Sequence, residues 1–257
     1  MEKLKRIIGR RKRLVIGIAA VLAVLLIVVL VKSALNSSGK ETSEGVAYLK
    51  NLESQDMDKV EKEVKKVKRK AQEKAIEEGT LSVWAQFQDY VIYGDSRTVG
   101  FYYHEFLDKQ RVLAEAGLTI KSIPDYMDQM VNLNPAHLFL CTGLNDVSIG
   151  YWPTPEEYVK AYEEVIKELQ KKMPDTTIYI NSIFPAIDPA FNKESDWKKI
   201  PDYNEALKAW CEEKGYTYID NTEVFEEHVD LYDPDGVHFR KEMYEYWALN
   251  MLSEVEM

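Results

Sequence analysis

Apolar residues along this chain change their spacing three times, and each change predicts a different kind of element. Leu14 to Val31 is an 18-residue run of Leu, Val, Ile and Ala with one Gly and no charge, long enough to cross a hydrocarbon core as a helix. Its leading flank carries Lys3, Lys5, Arg6, Arg10, Arg11, Lys12 and Arg13, while only Lys32 follows it. The positive-inside bias therefore places residues 1–13 in the cytoplasm and the chain beyond residue 31 outside the membrane. A cleaved secretory signal is the rival reading; it expects a shorter apolar core and a small-residue cleavage site, where this chain has Val31-Lys32-Ser33. Either reading exports the rest.

From residue 32 the apolar positions thin out. Asn36 to Gly45 is mostly Ser, Gly, Asn, Glu and Thr, the composition of a flexible linker. Leu49, Leu52, Val60, Val64, Val67, Ala71 and Ala75 then recur at mostly three- and four-residue steps among dense Lys and Glu, which predicts a helix with a narrow apolar stripe. The stripe breaks at Asp56 and weakens to alanine, so a solvated spacer is expected ahead of a dimeric coiled coil. Gly79 ends it, and residues 32–80 read as linker and charged spacer helix.

Beyond residue 80, short β-branched and aromatic runs alternate with longer helical patterns. Tyr90 to Tyr93, closed by Gly94, predicts a strand, and Thr98 to Leu107 a helix. His137 to Cys141 is a second strand, and Pro155 to Lys172 puts Tyr158, Tyr162, Val165, Ile166 and Leu169 on one helical face. Thr177 to Ile180 is a third strand, followed by a long loop holding Pro185, Pro189 and Pro201. Tyr203 to Lys214 is a helix with Leu207 and Trp210 inward and Gly215 as its stop, Tyr216 to Ile219 a fourth strand, and Lys241 to Val255 an aromatic-rich final helix. Strand and helix in alternation imply right-handed crossovers and a parallel sheet covered on both faces. Residues 81–257 are thus expected to form a three-layer α/β/α sandwich, with ligands just beyond the carboxyl ends of its strands.

Charge sharpens the division. Residues 1–32 carry eight basic side chains against one acidic, residues 33–80 ten against ten, and residues 81–257 fifteen against 32, a net of −17. Nucleic-acid binding needs clustered Lys and Arg, so that class of partner is excluded for the domain. The 46% hydrophobic and 11% aromatic content excludes wholesale disorder.

Chemistry concentrates at strand ends. Ser96, in Gly94-Asp95-Ser96, sits at a strand-to-helix junction where a hydroxyl can be exposed as a nucleophile; an N-cap is the plainer role for a serine there. His238, in Asp233-Pro234-Asp235-Gly236-Val237-His238, is the base candidate, with Asp235 three residues earlier able to orient its ring. His104, His137 and His228 have no such neighbour and read as structural. Asn145, in Gly143-Leu144-Asn145-Asp146, can aim its amide at the same cleft. Arg97 reads as an exposed first-turn arginine. Metal-ligand spacing is absent, and neither a metal nor an organic cofactor is expected. Cys141 and Cys211 read as buried thiols, with a disulfide left open.

Taken together, Gly-Asp-Ser after the first strand, Gly117 after the next element, Gly-x-Asn-Asp after a later strand and Asp-x-x-His before the last helix resemble the SGNH hydrolases, the GDSL-type esterases and lipases, over about residues 90–255. The resemblance implies a flavodoxin-like SGNH hydrolase fold and a cofactor-free serine esterase. It implies Ser96 as nucleophile, His238 and Asp235 as base and orienting acid, and an oxyanion hole of Ser96 N–H, Gly117 N–H and the Asn145 side chain. Arg97 departs from the family, in which many members have an apolar residue after Gly-Asp-Ser, and Gly117 lies in the atypical context Ala114-Glu115-Ala116-Gly117-Leu118. An exported, membrane-anchored esterase meets envelope or extracellular glycans, so the expected reaction is O-deacetylation of a carbohydrate. Lipase or lysophospholipase activity, acyl transfer and a non-catalytic binding module are the alternatives. Pocket-lining residues are expected from loops 147–154 and 183–202, with Phe184, Phe191 and Trp197 assigned to the core.

Overall fold

The computed structural model describes residues 57–255. The run from Leu14 to Val31 lies outside them, and among the described residues no helix is long and apolar enough to cross a membrane. Two units divide the chain, Met1–Val64 and Lys65–Met257. Of the first, only residues 57–64 are described, as the opening turns of helix α1 (Met57–Glu77).

The second unit is built on five parallel strands: β1 (Tyr90–Gly94), β2 (Val112–Ala114), β3 (His137–Cys141), β4 (Thr177–Asn181) and β5 (Thr217–Ile219). Their spatial order is β2-β1-β3-β4-β5, the flavodoxin-like doubly wound order. The chain moves outward from β1 to β2, then returns past β1 to β3, so the strand order reverses between β1 and β3. Register aligns Gly94 with Cys141 and with Ala114, which brings the carboxyl ends of three strands to one edge.

Burial on both faces explains why these runs are continuously apolar. Val91 and Tyr93 pack with Leu138, Leu140 and Ile180 against Ile123, Tyr158, Tyr162, Ile166 and Leu207. These come from helices α3 (Ile123–Leu133), α5 (Pro155–Lys172) and α6 (Ile200–Lys214). Ile92, Phe139 and Tyr179 pack on the other face with Phe101, Met243, Trp247 and Ala248, from α2 (Gly100–Tyr103) and α8 (Met243–Ser253). Alternate residues of β1 therefore enter two separate cores, as the pleat of a strand requires.

Some elements differ from the expectation. The helix expected over Thr98–Leu107 is only Gly100–Tyr103, because Glu105 adopts φ +60°, a left-handed conformation that ends a helix. Strand β2 and helix α3 lie between residues 108 and 136, where the apolar pattern predicts no bounded element; β2 is a three-residue edge strand whose period is too short to register. Between β3 and α5 stands a further short helix, α4 (Leu144–Ile149), and after β5 another, α7 (Thr222–Glu227).

The spacer helix forms, and Val60, Val64 and Val67 of its apolar stripe stay exposed as a solvated helix requires; what differs is where it belongs. From Lys65 onward it belongs to the compact unit, which therefore begins before the expected boundary at residue 81. Arg69 is buried on α1, with its guanidinium 3.1 Å from Glu73, 3.0 Å from Glu223 and 2.9 Å from Glu227 of α7. Glu73, Glu227 and His228 also bring ligand atoms within 4.8 Å of one another, but Arg69 supplies the cation there. Cys141 and Cys211 are both buried free thiols, and burial pushes the Cys211 thiol up to about 12.

Candidate active site

The turn after β1 depends on Gly94. A Cβ there would lie 2.0 Å from Thr98 Oγ1 and 2.8 Å from the Cys141 carbonyl oxygen, so only glycine lets the chain fold back so tightly. Thr98 N and Val99 N both donate to the Asp95 carbonyl, at 2.9 and 3.3 Å, and Arg97 N donates to Asp95 Oδ1 at 3.0 Å. Among the described residues no protein acceptor takes the Ser96 N–H, which leaves it free for a ligand oxygen.

Ser96 Oγ lies 3.0 Å from His238 Nε2, and His238 Nδ1 lies 2.6 Å from Asp235 Oδ2. The structure thus brings a hydroxyl, an imidazole and a carboxylate into one line across 142 residues of chain. Asp235 Oδ1 also accepts the backbone N–H groups of Val237, at 2.8 Å, and His238, at 2.9 Å. Burial works to raise the Asp235 carboxyl, but the hydrogen bonds from the His238 ring and these two N–H groups outweigh it and hold it at about 2. An ionised Asp235 keeps the proton on Nδ1, which leaves Nε2 as the acceptor facing Ser96. The His238 side chain is 43% exposed, so the line opens to solvent.

Asn145 stands in the first turn of α4, beyond β3. Gly143 before it has φ +136°, and a Cβ would come within 2.2 Å of the Ile183 side chain; no other residue suits that backbone. Asn145 Nδ2 donates to the Leu118 carbonyl at 3.1 Å. An amide nitrogen has two protons, and one bond to Leu118 fixes the group while the second stays available. Gly117, next to Leu118, is exposed with φ +87° and open space around it. Its N–H, like that of Ser96, meets no protein acceptor among the described residues. Asn145 and the turn holding Gly117 are therefore joined directly.

Two residues beside this site take places that the motifs do not disclose. Arg97 is 3% exposed, not a surface side chain, and its guanidinium turns inward to the carbonyls of Val237, Phe184 and Pro185. Asp146 is fully buried, with Oδ1 accepting the Ile120 N–H at 3.0 Å and Oδ2 without a partner. Burial pushes its carboxyl well up; the Ile120 bond pulls the other way without offsetting it. Burial also raises Asp95, opposed by the Arg97 charge. No local pattern in the sequence distinguishes either side chain from an ordinary exposed polar residue. The other histidines lie elsewhere: His137 pairs with the Tyr179 hydroxyl at 3.2 Å, His228 stacks on Tyr246, and His104 faces Tyr244.

The flanking loops are anchored to α4 and α6. Trp197 Nε1 donates to the Leu144 carbonyl at 3.0 Å, and the Tyr203 hydroxyl to the Trp152 carbonyl at 2.7 Å. Phe184 is buried between Phe239 and Trp247, and Phe191 packs on the core. Ile149 and Tyr151, at the end of α4, stay about half exposed (49% and 48%), with the Lys121 ammonium 4.2 Å from the Tyr151 ring centre.

A doubly wound sheet with polar residues gathered at its switch point defines the class of an α/β enzyme with its site at the carboxyl edge. Residues 92–246 match the model of the GDSL-like Lipase/Acylhydrolase family, and the chain belongs to that family; it is a carboxylic ester hydrolase. The fold is similar to a protein described as a GDSL-like lipase from Parabacteroides merdae, at 20% identity and TM-score 0.54, covering 65% of this chain and 96% of that one. It is equally similar to the lipase/acylhydrolase from Enterococcus faecalis, at 15% identity and TM-score 0.54, covering 65% and 95%. No curated protein matches the sequence.

Proposed function

We propose that this protein is a serine esterase that removes acetyl groups from an envelope or extracellular carbohydrate by an acyl-enzyme mechanism. The observation that supports it best is the unbroken line from Ser96 Oγ through His238 to Asp235, at 3.0 and 2.6 Å. His238 Nε2 takes the proton of the Ser96 hydroxyl as Oγ attacks the ester carbonyl, and Asp235 stabilises the imidazolium that forms. The oxyanion is met by the free Ser96 N–H, the second amide proton of Asn145 and the Gly117 N–H. Collapse of that intermediate expels the alcohol, which takes its proton from His238. Water then adds to the acyl-Ser96 carbonyl with His238 again as base, and the acid leaves as the Ser96 hydroxyl is restored.

The carbohydrate reading rests on export. The apolar run Leu14–Val31 behind a basic flank is suited to anchoring the chain with residues 1–13 in the cytoplasm and the hydrolase domain outside. The domain's net charge of −17 disfavours polyanionic substrates and favours a neutral, ester-bearing glycan. Steady-state kinetics of residues 57–257 on acetylated oligosaccharides, and on aryl esters of short and long acyl chains, tests this. The proposal expects kcat/KM to fall steeply beyond short acyl groups; a preference for long chains replaces it with a lipase or lysophospholipase.

A further inference from the structure

The geometry points to Arg97 as a positioning residue that holds the His238 loop against the nucleophile turn and so sets the distance between Ser96 and His238. The inference rests on the reading of Ser96, His238 and Asp235 as the catalytic relay. Arg97 directly follows Ser96, and its Nε donates to the Val237 carbonyl at 2.9 Å. Val237 is the residue between Gly236 and His238, two along from Asp235. One side chain therefore ties the backbone of the nucleophile to the backbone of its base and orienting acid.

The same guanidinium reaches a third segment. Nη1 donates to the Phe184 carbonyl and Nη2 to the Pro185 carbonyl at 3.3 Å, and that segment braces the His238 loop a second time, through Ile187 N to the Gly236 carbonyl at 2.9 Å. Arg97 itself is fixed from both ends of its backbone: its N–H donates to Asp95 Oδ1 at 3.0 Å and its carbonyl accepts the Tyr244 hydroxyl at 2.8 Å. Its charge sits 5.3 Å from the Phe239 ring centre. Among the described residues no carboxylate lies within ion-pair distance of it. Three carbonyl dipoles and one ring face hold a buried cation here, with the Asp95 carboxyl beyond ion-pair distance yet near enough to feel its charge, a costly arrangement compared with an apolar side chain unless the geometry it enforces is used.

Arginine suits this place because its planar fork presents five donors in fixed directions. Lysine keeps the charge but cannot span three carbonyls on two segments. At 3% exposed, the group is shielded from substrate, so its effect must be on the alignment of the relay and not on binding.

The test compares Arg97→Lys and Arg97→Leu with wild type and Ser96→Ala in the same protein, on p-nitrophenyl acetate, with circular dichroism and Tm confirming the fold. A second readout is the proton resonance of His238 Nδ1–H, which a 2.6 Å bond to Asp235 shifts far downfield. Arg97→Lys is expected to lower kcat about 10²-fold, the cost of a misplacement near 1 Å, with KM within about twofold and the downfield resonance broadened. Wild-type kcat in folded Arg97→Lys overturns the inference, as does a loss carried wholly by KM. If the Arg97 variants do not fold, Tyr244→Phe, which releases the Arg97 carbonyl, carries the same expectation at about 3- to 10-fold in kcat, and an unchanged kcat there is equally fatal. Retained activity in Ser96→Ala overturns the relay reading itself; its loss alongside a normal Arg97→Lys overturns only the role of Arg97.

Discussion

Asp235→Asn separates the chemistry of the site from its stability. The carboxylate has two jobs on two oxygens: Oδ1 accepts the Val237 and His238 N–H groups, and Oδ2 accepts His238 Nδ1–H at 2.6 Å. Asparagine keeps an oxygen for the two backbone donors, so the loop holds its shape. Its NH₂ group, facing Nδ1, forces the imidazole proton to Nε2, where it points at Ser96 and cannot accept. The loss of kcat expected from the wrong tautomer is about 10⁴-fold, or about 5.4 kcal/mol of barrier. The stability cost is a single charge-assisted hydrogen bond, about 1.5 kcal/mol for a group this open to solvent, a fall in Tm of about 3–6 °C. Asp235→Ala also strips the two backbone donors of their acceptor, at about 1 kcal/mol each, and is expected to melt lower still. Saturation kinetics on p-nitrophenyl acetate beside calorimetry measures both. A folded Asp235→Asn variant keeping more than about a tenth of wild-type kcat refutes the claim that Asp235 sets the tautomer.

Three further outcomes are expected. Asn145→Ala removes one of the proposed oxyanion donors and is expected to lower kcat about 10²- to 10³-fold with little change in KM; a change confined to KM contradicts that role. Burial raises the Asp146 carboxyl in the folded state, so its contribution to stability is greatest below the ordinary carboxylate value and is lost as pH rises from there. Asp146→Asn, neutral and still able to accept the Ile120 N–H, should therefore gain on wild type in thermal stability from about pH 4 to about pH 7; a constant difference over that range refutes the assignment. Arg69→Ala removes the buried guanidinium shared by Glu73, Glu223 and Glu227, leaving only the exposed Lys66 and Lys70 beside the last two, and is expected to destabilise the unit by about 1–2 kcal/mol, read as a lower urea midpoint; an unchanged midpoint means that this ion cluster contributes nothing to it.

What the sequence discloses here depends on how far an element's cause extends along the chain. The runs Tyr90–Tyr93, His137–Cys141 and Thr177–Ile180 are apolar throughout because both sheet faces are covered, so each is visible in isolation. The four motifs are legible for the same reason, since each occupies the few residues after a strand or before the last helix. Strand β2 escapes notice because three edge residues, Val112 to Ala114, carry too little pattern. Arg97 looks like any polar first-turn residue, and its burial is decided by carbonyls 87 to 140 positions away. Arg69 is hidden in the same way, its partners on α7 lying far along the chain. Gly117 is marked by its motif position alone, and its link to Asn145 runs through the Leu118 carbonyl, which sequence order does not reveal.

The central claim is that Ser96 is the nucleophile activated by His238. Labelling with a fluorophosphonate, followed by peptide mass spectrometry, tests it most directly. The account predicts one adduct, on Ser96, absent in Ser96→Ala and formed at least about 10²-fold more slowly in His238→Ala. An adduct on another residue, or equal labelling rates in wild type and His238→Ala, would contradict it.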